Sequence, residues 1–322
     1  MWPSALKRWC CLWTLVVALS PLAWAQHAIW IWEEDTQSLL TNEPQMAESL
    51  HWLRMQGVGT VYLYAGAHEG HDPLVEAPQS YARLIRRYRQ AGVEVHALLG
   101  TGHLRTEKYV LPENRDRAVH MVQRVLDYNQ RSDPAERFEG IHLDIEPHVL
   151  DDWSSRREAY LQMWLQVSEV WMAMKRRSGQ SIKVAPAIAF WLDGIQVRHA
   201  GVSKPASQHL QDIYDHVVLM DYRNRAQGGD GIISHGRDEI EYGRRIGKPV
   251  WLGLEFSPNS LSKLTFDGRT PEEAAHEIRQ VLTAFDRDPG FAGVVFHHYG
   301  TYRRWLARHQ ADPSPLVSPA SP

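Results

Sequence analysis

The chain has 322 residues, 43% of them hydrophobic and 23% charged, a balance that suits one large globular domain and excludes global disorder. Its formal charge of −3 argues against a nucleic-acid partner. The only cysteines, Cys10 and Cys11, sit together at the start of the chain, which excludes thiol catalysis and zinc–thiolate sites elsewhere in it.

In chain order, Lys7 and Arg8 precede an apolar run from Trp9 to Leu19, and Ala23-Trp24-Ala25 supplies the small residues that signal peptidase needs. An export signal over residues 1–25 is therefore expected, leaving Gln26 first, with a periplasmic or extracellular destination. The run is too short for a spanning helix, so no membrane span is expected in the mature form. Loss of Lys7 and Arg8 would take the charge from −3 to −5.

From residue 26 to about 310, eight short β-branched or aromatic runs alternate with stretches of helical periodicity. The runs cover residues 27–33, 60–67, 93–101, 140–148, 183–191, 216–224, 249–257 and 292–300. Helical segments fit between them at 79–91, 116–128, 155–177, 236–246 and 271–286. This α/β pattern predicts a (β/α)8 barrel in a single domain, and no Gly-x-Gly-x-x-Gly follows the first strand to support a dinucleotide fold. A barrel carries its chemistry at the C-terminal ends of its strands, so those ends are where site residues are expected. Glu33 ends the first predicted strand and Tyr64 lies in the second; both are rim candidates for recognising hydroxyl groups. His68, His71 and the Gly100-Thr101-Gly102-His103 loop follow strands two and three, where surface roles are expected for the histidines.

The fourth strand reads Glu139-Gly140-Ile141-His142-Leu143-Asp144-Ile145-Glu146-Pro147-His148 and alternates polar with apolar residues. That period of two puts His142, Asp144, Glu146 and His148 on the inner face. Two carboxylates at neighbouring inward positions push their pKa values apart, leaving one able to hold and donate a proton. A salt-bridged network in which His142 and Arg223 neutralise the acids is the plain structural alternative.

This segment resembles the Asp-Gly-x-Asp-x-Asp-x-Glu signature of family 18 glycoside hydrolases, the chitinase-like barrels. The resemblance implies a glycosidase with no cofactor and an oligo- or polysaccharide substrate. Glu146 would be the general acid, and Asp144 would orient the substrate's own N-acetyl group as it attacks the anomeric carbon. Glu139 stands for the family's first Asp and His142 for the middle one, which removes a charge from the acid pair.

Farther along, Trp191 ends strand five and, with Trp32 and Trp251, offers a flat face for a sugar ring. The sixth strand ends Met220-Asp221-Tyr222-Arg223, similar to the family's Met-x-Tyr-Asp, which implies that Tyr222 hydrogen-bonds near the reacting sugar; Arg223 replaces the Asp, and Asp221 faces away. Glu255 ends strand seven, where it allows an ordinary two-carboxylate mechanism with Glu146. In the eighth strand His297 occupies the position of the family's floor Trp, followed by His298 and Tyr299; His297 and Tyr299 join His142, Arg223, Glu255, Trp191, Glu33 and Tyr64 as substrate-binding candidates. The tail 311–322, rich in Pro and Ser, is expected to be disordered. Two other functions remain open: a barrel that binds carbohydrate without cleaving it, and a metal-dependent hydrolase using the histidines and acids of strand four. A monomer is expected.

Overall fold

The computed structural model describes residues 27–102, 104–309 and 316–317. The expected export segment, both cysteines, His103 and most of the expected tail lie outside the described residues.

Ten strands form: β1 (His27–Ile31), β2 (Val58–Tyr64), β3 (Glu94–Leu99), β4 (Gly140–Leu143), β5 (Lys183–Ala189), β6 (Gln196–His199), β7 (Val202–Pro205), β8 (Val217–Met220), β9 (Val250–Glu255) and β10 (Phe291–His297). Eight of them close into a parallel barrel in the order β1-β10-β9-β8-β5-β4-β3-β2, the fold expected from the alternation of runs. All eight predicted runs overlap a barrel strand. The hairpin β6–β7 is an insertion after β5 that the periodicity did not signal; it packs beside the long helix Trp153–Ser178. Most predicted strands ran a few residues too far at their C-terminal ends, because there the chain stops pairing and turns into the loops that make the mouth.

Period-two alternation sorts the strand residues. On β1, Ile29 and Ile31 point outward into the large core shared with the helices, whereas Ala28 and Trp30 join Tyr62, Leu98, Val218 and Val295 in the barrel lumen. The five predicted helices are present, with the helix Pro271–Ala284 closed by a Thr270–Glu273 capping box. The lumen is unusual in being polar and aromatic. His142 lies stacked on Tyr62, ring centroids 4.1 Å apart, and its Nε2 accepts a hydrogen bond of 3.0 Å from the Trp30 indole. Gly140 is required beneath it, since a Cβ there would stand 2.4 Å from the His96 imidazole. Burial, with the neighbouring histidines, pushes His142 well below the ordinary histidine range, and burial takes His216 down to about 3, so both stay neutral and add no charge under the site. Among the described residues, no helix is long and apolar enough to cross a membrane.

Outside the barrel, Glu239 on the helix Ile232–Ile246 is buried against the helix Ala206–Ile213, and burial together with the charge of Asp193 raises its carboxyl to about 8. The unfolded chain releases this proton near 4.5 and the folded chain keeps it to about pH 8, so the group's contribution to stability is full below about pH 4.5 and is lost as pH rises to about 8. Glu239→Gln, which imitates the protonated acid, is expected to raise Tm by about 5 °C at pH 8 and by little at pH 4. Thermal melts of both proteins across that range check it; an unchanged difference between the two pH values would contradict the burial argument.

Candidate active site

The mouth of the barrel is built where β4 runs out. The last ladder bond of this edge goes from the Asp144 amide to the Leu99 carbonyl, at 2.7 Å. Beyond it, Thr106 braces the chain: its hydroxyl donates to the Asp144 carbonyl and accepts from the Glu146 amide at 3.2 Å. Gly100, at φ +147°, lets the β3 loop pass against the same backbone, where a Cβ would stand 2.0 Å from the Asp144 carbonyl oxygen. A 3-10 turn over Pro147–Val149 then folds His148 back, so that its Nε2 lies 3.1 Å from Glu146 Oε2. The simple picture of four side chains strung along one straight strand is corrected here, since regular strand ends at Leu143 and a turn brings His148 to its partner. The His148 ring meets Trp191 edge-on at 5.3 Å and also approaches Trp153 at 6.3 Å.

The two carboxyls differ in environment. Asp144 is 8% exposed, and burial, reinforced by the charges of Glu146 and Glu33, pushes its carboxyl well above the ordinary aspartate range. Glu146 is half-buried at the rim with one oxygen on His148. Tyr222, just past the end of β8, sits among the acids: burial and then the charges of Glu255, Asp144 and Glu146 raise its phenol well above the ordinary tyrosine value, so it stays protonated and can only be an uncharged donor or acceptor.

On the opposite wall, Trp32, His297 and Glu255 form a chain. The Trp32 indole donates to His297 Nε2 at 3.1 Å, which places the ring proton on Nδ1, directed at Glu255 Oε2 2.8 Å away. Burial alone would raise the Glu255 carboxyl, but the hydrogen bonds from His297 and the Ser257 amide hold it below the ordinary glutamate value, so it is ionised at neutral pH. Glu33 opens the helix Glu33–Thr41 instead of ending β1, and accepts from the Thr101 hydroxyl at 2.7 Å. Tyr64 is buried and donates to the Ala67 carbonyl at 2.6 Å, bracing the β2 loop at the edge of the mouth.

The structure thus brings Asp144, Glu146, Tyr222, Glu255, His297, Glu33 and Trp191 to the mouth, with Tyr64 as a support. Four sequence-based expectations are corrected, for His142, Arg223, Tyr299 and His297. His142 is wholly enclosed beneath the mouth and engaged by Trp30 and Tyr62, so no substrate reaches it. Arg223 turns away to pair with Asp230 at 2.8 Å and to lie over the Phe190 ring, because an unneutralised guanidinium finds an acid and an aromatic face on the outer side of the strand. Tyr299 enters the helix Tyr299–Arg308, where it packs against Trp52 and Arg303 outside the barrel. With His142 and Arg223 both committed elsewhere, the reading in which they neutralise the acid pair loses its two cations. His297 is at the site, but both of its ring nitrogens are already hydrogen-bonded, so it orders Glu255 and Trp32 and has no free nitrogen for a sugar. Asp221 faces away as expected, 2.9 Å from His235 Nδ1. Among the described residues, no group of three or more His, Cys, Asp and Glu is arranged to hold a metal ion. Thr106 and Trp153 were not foreseen: Thr106 is about 40 residues from the backbone it braces, and a lone Thr or a Trp opening a helix carries no local signal.

The fold and mouth define a (β/α)8 barrel with an acidic C-terminal opening. No family model matches the chain, and no curated protein is significantly similar to it. Among solved structures, the chain is similar to the C-terminal domain of a candidate chitinase from Desulfitobacterium hafniense, with 13% identity, 88% of this chain and 99% of that one covered, and a TM-score of 0.57. It is also similar to a family 18 chitinase from Cycas revoluta in complex with (GlcNAc)3, with 13% identity, 89% and 99% coverage and a TM-score of 0.53. A sugar phosphate isomerase/epimerase from Parabacteroides distasonis matches with 12% identity, 93% and 99% coverage and a TM-score of 0.50. At these identities the likeness is one of fold, and the presence of an isomerase among the neighbours leaves the chemistry to the site.

Proposed function

We propose that the protein is a glycoside hydrolase with Glu146 as general acid and base, Asp144 as its partner and Tyr222 as a donor to the reacting sugar. The observation that carries this reading is the unequal pair at the end of β4: a buried Asp144, its carboxyl pushed well above the ordinary aspartate range by burial and the charge of Glu146, beside a rim-exposed Glu146. Such a pair separates the two tasks that glycoside cleavage needs. The pair holds one proton between its two carboxyls, and Glu146, the one at the rim, delivers it to the glycosidic oxygen as the bond to the anomeric carbon breaks. Asp144 holds the group that attacks that carbon from the other side. Water then completes the reaction and returns a proton to Glu146. The hydrogen bonds from His297 and Ser257 occupy both Glu255 oxygens, which favours attack by a substrate acetamido group over a nucleophilic Glu255. His148, flanked by Trp191, holds the outer Glu146 oxygen at 3.1 Å.

The test incubates the full chain and its Glu146→Gln variant with N-acetylated and de-N-acetylated hexosamine oligomers, peptidoglycan and exopolysaccharides, following product masses with and without chelator. Cleavage by wild type alone, unaffected by chelator, supports the proposal. Binding without cleavage by either protein would make the barrel a carbohydrate-binding module, and chelator-sensitive cleavage retained by the variant would mean the acid pair is not the catalytic group. On a cleaved substrate, Tyr222→Phe is expected to lower kcat by about tenfold to a hundredfold with little change in KM, as loss of one aimed hydrogen bond does; steady-state kinetics check this, and an unchanged kcat would remove Tyr222 from the reaction.

A further inference from the structure

β3 and β4 pair through Leu98 with His142 and Leu99 with Leu143, and their ladder closes with the Asp144 amide on the Leu99 carbonyl. If this parallel ladder ran one step further, the β3 residue to bond would be Thr101: its amide would reach the Asp144 carbonyl and its carbonyl the Glu146 amide. The chain turns away before it can do so. β3 ends at Leu99, Gly100 follows at φ +147°, and the Thr101 carbonyl faces Gly66, where a Cβ would stand 3.1 Å from it. The Thr101 hydroxyl is engaged by Glu33. Thr106 takes both roles with one hydroxyl, which donates to the Asp144 carbonyl and accepts from the Glu146 amide at 3.2 Å.

A packed element presents that hydroxyl. Thr106 opens the 3-10 turn Thr106–Val110, whose Tyr109 and Val110 are buried in the core around the barrel. The turn lies against both the Pro147–Val149 turn and the helix Trp153–Ser178. Thr is β-branched and therefore stiff at χ1, which suits a side chain that must meet two backbone groups at once. Regular strand ends at Leu143, so beyond it no sheet neighbour enforces the alternation that puts Asp144 and Glu146 on one face. The two carboxyls repel, and burial strengthens that repulsion, so a segment without a brace would let them move apart.

We propose that Thr106 is a positioning residue of the active site: its hydroxyl is a side-chain rung that extends the β3–β4 ladder by one step and so sets the separation of the Asp144 and Glu146 carboxyls. Its effect on turnover rests on the glycosidase reading, whereas its effect on the geometry of the pair does not. Thr106 carries no charge, so substituting it leaves in place the charges that act on Asp144, those of Glu146 on the same segment and Glu33 on the helix Glu33–Thr41, while Tyr222 from the end of β8 stays protonated. A change in how strongly the two carboxyls feel each other then reports a change in their distance.

The experiment follows the Asp144 carboxyl by carboxyl-carbon NMR titration in the full-length protein, with and without Glu146→Gln, in wild type, Thr106→Val and Thr106→Ser, the signal being assigned with Asp144→Asn. Thr106→Val keeps the shape and removes the hydroxyl; Thr106→Ser keeps the hydroxyl. In wild type and Thr106→Ser, Glu146→Gln is expected to move the Asp144 titration downward, because a like charge is removed, and in Thr106→Val the movement should be smaller. On a cleaved glycan, Thr106→Val is expected to lower kcat by about tenfold to a hundredfold with KM within about threefold, and Thr106→Ser to keep kcat within about threefold of wild type. Thermal melts of each variant give the folded fraction, and Thr106→Ala replaces Thr106→Val should the latter not fold. An equal response to Glu146→Gln in wild type and Thr106→Val, zero included, overturns the inference, as does a Thr106→Ser protein that behaves like Thr106→Val or a kcat lost only in proportion to folded protein. Full kcat in Thr106→Val sinks the inference and leaves the glycosidase reading standing; a weakened response in Thr106→Val with no glycan cleaved by wild type does the reverse.

Discussion

Glu146→Gln is expected to lower kcat/KM on the cleaved glycan by about a hundredfold to ten-thousandfold while leaving substrate binding and Tm nearly unchanged. The amide has the size of the carboxyl but cannot deliver a proton to the departing oxygen, and general acid catalysis contributes on the order of 10²–10⁴ in rate. Stability should be spared because Glu146 is half-buried at the rim and its side chain is paired with a histidine that is itself partly solvated. Paired kinetics and thermal melts check both halves. A variant retaining a tenth or more of wild-type kcat would mean that another group supplies the proton, whereas a collapse in Tm would mean that the residue is structural. Asp144→Asn makes the useful contrast: it keeps a donor in the buried position but cannot cycle through a charged state, so it should bind substrate and turn over slowly.

The second large effect is expected from a residue with no chemistry of its own. In Gly100→Ala the new methyl group would be driven into the Asp144 carbonyl, with its Cβ 2.0 Å from the oxygen and 2.8 Å from the carbon, at a φ of +147° that a side chain rarely adopts. Neither contact involves a flexible side-chain tip, so the backbone of one loop must shift. Overpacking and backbone strain together should cost about 3 kcal/mol or more, lowering Tm by about 5–10 °C in a domain of this size. The shift falls on the segment that carries Asp144 and Glu146, so activity should drop by more than the loss of folded protein explains. Gly179→Ala is the control: it too has a positive φ, 66°, but at a helix end where a Cβ meets nothing within 4 Å, so it should cost only about 1 kcal/mol and leave activity per folded molecule unchanged. Equal effects from the two substitutions would refute the close-approach argument.

The barrel and the acid pair were legible in the sequence for one physical reason: strand residues alternate between two environments, so the order of polar and apolar residues states which side chains face inward. His142, Asp144 and Glu146 show the rule and its limit. Inward is one direction, but depth along the barrel axis decides whether an inward group is sealed, as His142 is under Trp30 and Tyr62, or open to solvent, as Glu146 is at the rim. The misreadings of Arg223 and Tyr299 have the same origin. Both lie just past the end of regular strand, where the period of two lapses, and their directions were taken by Asp230 with Phe190 and by Trp52 with Arg303.

What the sequence by itself determined is the repeating architecture and the presence of Asp144 and Glu146 at the end of the fourth barrel strand, because both depend on neighbours along the chain. Only the tertiary structure decided which partners those acids meet. Thr106 braces their backbone from 38 residues away, His148 is folded onto Glu146 by a turn, and Trp32 joins His297 across 265 residues to order Glu255. The pairing of Trp32 with His297 depends on closure of the barrel, which brings the first and last strand ends to one mouth, and closure is a property of all eight strands together, with no local pattern that encodes which ends will meet.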